Sequence, residues 1–220
     1  MRDFNILDVN LLLQAARWTV LLALLAFVGG GIVGAFVTML RISRIAALRA
    51  FARSYILLLQ GTPLLMQIFL AYFGLGLIGI DLPPVVAAAI AFTAYASAFF
   101  ADIWRGTIES IPKPQWEGSA SLGLTRLEQI RHVIMPQAAR IALPPTVGFA
   151  VQIVKNTSLA ALIGFTDLAR SAQLINNVTF QPFIVFGITA AIYFALCFPL
   201  SFIARRLERR LNVGRPSLVG

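Results

Sequence analysis

Thr19–Leu40 reads TVLLALLAFVGGGIVGAFVTML, 22 residues without a charged side chain. About 20 apolar residues cross the hydrocarbon core of a bilayer as a helix, so this stretch is long enough to span. Three other charge-free stretches are comparable: Ser54–Ile80 with 27 residues, Leu82–Ala101 with 20 and Val178–Ala204 with 27. Ile141–Phe165 is equally apolar and long, and it holds one charge, Lys155. The sequence therefore reads as an all-α membrane protein with five transmembrane helices, at about 19–40, 54–80, 83–101, 141–165 and 182–204. The first stretch exceeds the apolar core of a cleaved signal peptide, and no small-residue cleavage site precedes a mature domain.

Composition agrees. Hydrophobic residues make up 59% of the 220, charged residues only 12%, and mean hydropathy is +0.83. A soluble domain carries nearer a quarter charged residues, so a soluble enzyme is excluded. The single cysteine, Cys197, rules out an internal disulfide, and the single histidine, His132, rules out a multi-histidine metal site. No metal site is expected. The net charge is +9. In a membrane protein such an excess sets orientation, because cytoplasmic loops collect Lys and Arg; no nucleic-acid partner is expected. With the N-terminus outside, 14 of the 18 basic residues fall inside, between Arg41 and Arg53, Arg105 and Arg140, and Arg205 and Arg215. Arg2, Arg17 and Arg170 fall outside, and Lys155 lies within the membrane. The expected topology is N-terminus out and C-terminus in, one membrane domain over 1–220, with a cytoplasmic loop at about 102–140 and an outside connection near 166–181.

The cytoplasmic loop is patterned. Ile111-Pro112-Lys113-Pro114 suits a helix entry, since proline is tolerated in the first turn. Glu117 then falls early in that helix, followed by the small residues Gly118, Ser119, Ala120 and Ser121. Gly123 is placed to end the helix in a left-handed conformation. Thr125 and Glu128 form a capping box opening a second helix, with Leu127, Ile130 and Ile134 on one face before Pro136. The pattern suits either an amphipathic hairpin resting on lipid or a docking surface.

Glu117-Gly118-Ser119, then Gly123, then Ile134-Met135-Pro136 resembles the Glu-Ala-Ala loop of bacterial ABC importer permeases. Gly118 and Ser119 stand where alanines are usual, and Pro114 where glycine is common. The resemblance extends along the chain. Gln60-Gly61-Thr62-Pro63-Leu64-Leu65 with Gln67 resembles the Arg-Gly-Thr-Pro-Leu-Leu-x-Gln stretch of polar amino-acid uptake permeases, with Gln60 for the arginine. Lys155-Asn156-Thr157-Ser158-Leu159 resembles their Lys-Asp-Thr-Ser-Leu segment, with Asn156 for the aspartate, and Arg205–Arg210 resembles their C-terminus.

The resemblance implies a half-pore. A second permease chain, identical or paralogous, would complete the path. Two ATP-binding subunits would dock below, each cupping a coupling helix formed by Glu117, Gly118, Ser119, Ala120 and Gly123. A periplasmic substrate-binding protein would deliver the solute, in the inner membrane of a bacterium. The chain has no Gly-x4-Gly-Lys-Ser/Thr loop, so no cofactor is expected in it; ATP and Mg would be held by the partners.

Polar groups inside the spans mark the candidate substrate path: Thr62, Gln67, Lys155, Asn156, Thr157 and Ser158. An intramembrane charge is costly unless it meets water, a partner or a ligand. Lys155 could equally snorkel to the outer interface or donate to carbonyls at a kink. Thr62-Pro63 could equally be a packing kink, but interrupted helices at membrane depth normally line cavities. No span holds a carboxylate, which argues against a proton-coupled carrier or membrane-enzyme subunit, and favours a neutral polar or acidic amino acid over a cationic one. A permease for another solute, such as methionine or an inorganic anion, is the nearer rival. Gly29, Gly30, Gly31 and Gly34 are read as helix packing, Pro144-Pro145 as a kink, His132 as a surface residue, and the C-terminal arginines as an orientation signal on anionic lipid.

Overall fold

The computed structural model describes residues 2–212, all helix and connections with no strand among them; Arg215 lies outside the described residues. Helix α1 runs over Ile6–Arg41. Asn5 caps it, accepting from the Leu7 and Asp8 amides, and Asp8 returns a bond to the Asn5 amide at 3.0 Å. Arg2 clamps the same buried Asp8 carboxylate. At 1.5 Å per residue these 36 residues reach about 54 Å, longer than the hydrocarbon core.

The second expected span is broken. Helix α2 covers Ala46–Gly61, and α3 restarts at Leu64–Phe69, continuing through a π turn at Leu70–Gly74 into α4, Leu75–Leu77. The two halves meet at 103°. Pro63 is the cause. It disfavours helical backbone at the residue before it, and Thr62 is extended, with φ −112° and ψ 141°. Among the described residues four helices are long and apolar enough to cross a membrane, or up to five if this bent pair is one span.

Helix α5, Pro84–Glu109, begins on Pro84 and overruns the expected span by two turns. The short α6 is Lys113–Ser121 and α7 is Arg126–Glu128. The second helix of the expected cytoplasmic pair is not separate. From Arg126 the chain passes through a π turn, Gln129–Ile134, into α8, Met135–Asn156, and a 3-10 turn, Thr157–Ile163, as one run of 38 residues. Pro136 does not end it: it falls where the π turn passes into α8, and the wider π turn accommodates the residue that lacks an amide donor. The helix also continues through Pro144 and Pro145. The expected loop at 102–140 thus shrinks to the segment around α6. The connection expected outside contains another helix, α9, Leu168–Thr179, before α10, Pro182–Asn212.

Helices α1 and α5 pack most intimately. A Cβ added to Gly30 would sit 2.5 Å from the Ala96 Cβ, and one on Gly34 2.9 Å from the Phe100 Cβ. Small residues here let two backbones approach. Around that seam Leu22, Ile68, Phe92, Phe100 and Ile153 are fully buried, joining α1, α3, α5 and α8 in one core. A second cluster, Leu12, Leu168, Ala172 and Val185, packs the start of α1 against α9 and α10. Ile108, Ile111, Ile134 and Ala138 form a third, at the other end.

Candidate functional site

The α6 segment is anchored by one aromatic. Trp116 is half-buried against Ile108, Ile111, Ile134 and Ala138, the end of α5 and the start of α8. The Arg126 guanidinium lies 4.3 Å above its ring, a distance at which a cation is attracted to the π face. With Trp116 turned inward, Glu117, Gly118 and Ala120 are exposed, while Ser119 is buried and its hydroxyl donates to the Trp116 carbonyl. Glu117 is the fifth of nine residues, beyond the first turn, so the helix dipole does not hold it; it makes no ion pair among the described residues. Gly123 follows at φ +77°, the left-handed turn that a Cβ disfavours. Thr125 and Glu128 then close the capping box, with Glu128 accepting from the Thr125 amide at 2.8 Å. These bonds hold the Glu128 carboxyl below the ordinary glutamate range. The outcome is a short helix presented outward from an anchor at the ends of α5 and α8. Trp116 and Arg126 were not singled out in the sequence, although a tryptophan beside Glu117 was the available signal.

The intramembrane polar groups divide. Thr62 donates to the Leu58 carbonyl at 2.8 Å, and the Gln67 amide donates to the Leu59 carbonyl at 2.7 Å and to Thr62. Both therefore stitch the break at Pro63, leaving the buried Gln67 Oε1 without a partner among the described residues. Helix α3 packs on the 3-10 turn, with Leu64 and Ile68 in the same core as Ala160 and Ile163. Thr157 is fully buried and donates to the Val154 carbonyl; Ser158 donates to the Lys155 carbonyl. Asn156 lies beside Tyr95. Lys155 is exposed and opens elsewhere, onto a groove of about 420 Å³ with Tyr193, Cys197, Ser201 and Arg205 of α10, not with Thr62 or Gln67.

One carboxylate passed unnoticed in the sequence. Asp167 is fully buried at the start of α9, where it accepts from the Arg170 amide at 2.9 Å and from the Tyr193 hydroxyl at 3.4 Å. Burial pushes its carboxyl above the ordinary aspartate range. Its capping position, three residues before Arg170, was the legible signal. Asp102 and Glu109 are both engaged by Arg105.

Residues 28–213 match the family of binding-protein-dependent transport system inner membrane components. The chain belongs to this family. The permease is 35% identical to a probable amino-acid ABC transporter permease protein, YckA, of Bacillus subtilis, over 90% of this chain and 88% of that one. It is 34% identical to the glutamine transport system permease protein GlnP of Escherichia coli, over 93% and 94% respectively. Among solved structures, an amino acid ABC transporter with histidines superposes on the permease with a TM-score of 0.87 at 35% identity, covering 91% of this chain and 94% of that one. The permease is thus a multi-pass membrane component of a transport system.

Proposed function

We propose that this permease is the transmembrane subunit of an ATP-driven importer that moves a polar amino acid across the bacterial inner membrane by alternating access. The observation that carries the coupling step is α6, an exposed face of Glu117, Gly118 and Ala120 fixed to the ends of α5 and α8 by Trp116 and ended by the left-handed Gly123. Two ATP-binding subunits hold ATP and Mg and seat on this face; a second permease chain, identical or paralogous, completes the path; a periplasmic binding protein loads it. Five spans with the N-terminus outside follow if the bent pair at Pro63 crosses once, and the 14 basic residues then lie in the cytoplasm. Closure of the ATPases pulls α6, and because Trp116 ties α6 to α5 and α8, the pull reaches the helices carrying the candidate path. The substrate is a neutral polar or acidic amino acid. Lys155 is exposed with no ion pair among the described residues, and the buried carboxylate Asp167 is committed to capping α9.

The test is uptake into vesicles with copurification of the ATPase. Gly123→Val forces a β-branched residue into the left-handed region at about 1–2 kcal/mol, and Glu117→Lys reverses the charge of the exposed face. Both variants should insert normally, lose ATPase on purification and lose uptake. Full uptake with normal assembly in both would remove α6 as the coupling element.

A further inference from the structure

Two cavities meet at the end of the molecule that carries α6. One, of about 370 Å³, is almost wholly apolar and is walled by Ala35 and Met39 of α1, Trp104 of α5, and Ala139, Ala142 and Leu143 of α8. The other, of about 340 Å³, is walled by Arg41, Arg49, Glu109, Trp116 and Arg126. Ile42 and Ile108 line both, so the apolar cavity adjoins the basic one. We infer that the two together bind a phospholipid with an anionic headgroup, its phosphate among Arg41, Arg49 and Arg126 and one acyl chain in the apolar part.

The charges support this assignment. None of the three arginines pairs with a carboxylate among the described residues. Glu109, the one acid in the wall, is neutralised from its other side by Arg105. Arg49 is pinned at the rim by bonds from Nη1 to the Ser43 and Arg44 carbonyls, 2.9 and 2.7 Å. The Arg126 guanidinium carbon lies 4.3 Å over the Trp116 ring, which holds the group at the wall of the basic cavity. Guanidinium groups donate in a planar fork that matches phosphate oxygens, and basic pockets between helices at the cytoplasmic side take acidic lipid headgroups. A free anion would fill only the basic part. The apolar cleft beside it matches the acyl chain that a lipid carries. Acyl chains gain little by leaving other acyl chains, so the headgroup charge selects the lipid and the cleft selects for its being a lipid. The cytoplasmic placement rests on the orientation proposed above; the binding itself does not, and the test below reads no transport.

The full-length permease, purified with its copurifying subunits in neutral detergent, is offered equal amounts of phosphatidylglycerol and phosphatidylcholine of matched chains, and retained lipid is read by native mass spectrometry. Phosphatidylglycerol should be retained in excess. Arg41→Gln and Arg126→Gln should each cut that excess about fivefold, the loss of one interfacial basic residue. Arg126→Lys should keep most of it. Arg131→Gln, the same charge change at an exposed residue outside the cleft, should leave it unchanged. Ala139→Phe, which fills the apolar part without altering charge, should abolish it. Equal retention of the two lipids by the unmodified permease, or an equal loss in Arg131→Gln, overturns the site. Full competition by inorganic phosphate with no effect of Ala139→Phe makes it a soluble-anion site and overturns the lipid. A change of oligomeric mass in Ala139→Phe, with retained lipid unaltered, means that a second copy covers the cleft, and overturns it too.

Discussion

Replacing Gly30 by alanine tests the seam between α1 and α5. The added Cβ would lie 2.5 Å from the Ala96 Cβ and 3.2 Å from backbone atoms of Ala96 and Ser97. Carbon atoms rest at about 3.5–4.0 Å, so the helices must part by about 1 Å or more. Neither neighbour can yield by rotating, since one is a methyl group on a helix and the others are main chain. Overpacking of this kind costs about 1–3 kcal/mol. Gly31, one residue on, is the matched control. The nearest atom to its added Cβ is on the Trp104 ring, 4.0 Å away, an ordinary contact. Alanine gains up to about 1 kcal/mol of helix propensity at either position, so that gain cancels between them. The adjacent substitutions should therefore differ by the overpacking cost, about 1–3 kcal/mol. At about 2–4 °C per kcal/mol for a chain of this size, the melting temperatures in detergent should differ by about 2–12 °C. Thermal unfolding followed by tryptophan fluorescence, checked by size exclusion, measures this. Equal melting of Gly30→Ala and Gly31→Ala would refute the close approach and with it the packing of α1 on α5.

Two further outcomes bear on the substrate path. In a Cys197→Ala background, cysteines at Lys155 and Ser158 should react with small polar thiol reagents and be protected by substrate, while one at the fully buried Thr157 stays inert; labelling of all three alike would mean that the 3-10 turn is loose rather than packed. In proteoliposomes with the native binding protein, glutamine or glutamate should compete best; competition led by arginine or lysine, with no effect of the other two, would show that a partner chain supplies a carboxylate, because an unpaired buried charge costs several kcal/mol.

Much of the fold is one-dimensional information. Charge-free runs of 20 or more residues in Thr19–Leu40, Leu82–Ala101 and Val178–Ala204 place helices because a bilayer tolerates no unpaired backbone amide and few charges. The Thr125–Glu128 box and the left-handed Gly123 were equally legible, since caps and turns depend on residues within a few positions of each other. The sequence also marked Pro63 as an interruption, because proline restricts its immediate neighbour.

Tertiary structure decided the rest. Local preference says that Pro63 breaks a helix, but the 103° turn is set by what α3 packs against, the 3-10 turn and α5. Pro136 suggested a helix end, yet the chain runs on from Arg126 to Ile163, because burial of Ile134 and Ala138 against α5 holds both sides of it in one helix. Lys155 and Thr157 are two residues apart and both polar; the folded chain turns the charged one to an open groove and seals the hydroxyl in the core. Arg41, Arg49 and Arg126 are dispersed over 86 positions, and only the folded chain brings them round one cleft. Composition and spacing fix where helices form, because those forces act along the chain. Which side chains meet is fixed by close packing between distant helices, and no stretch read by itself carries that information.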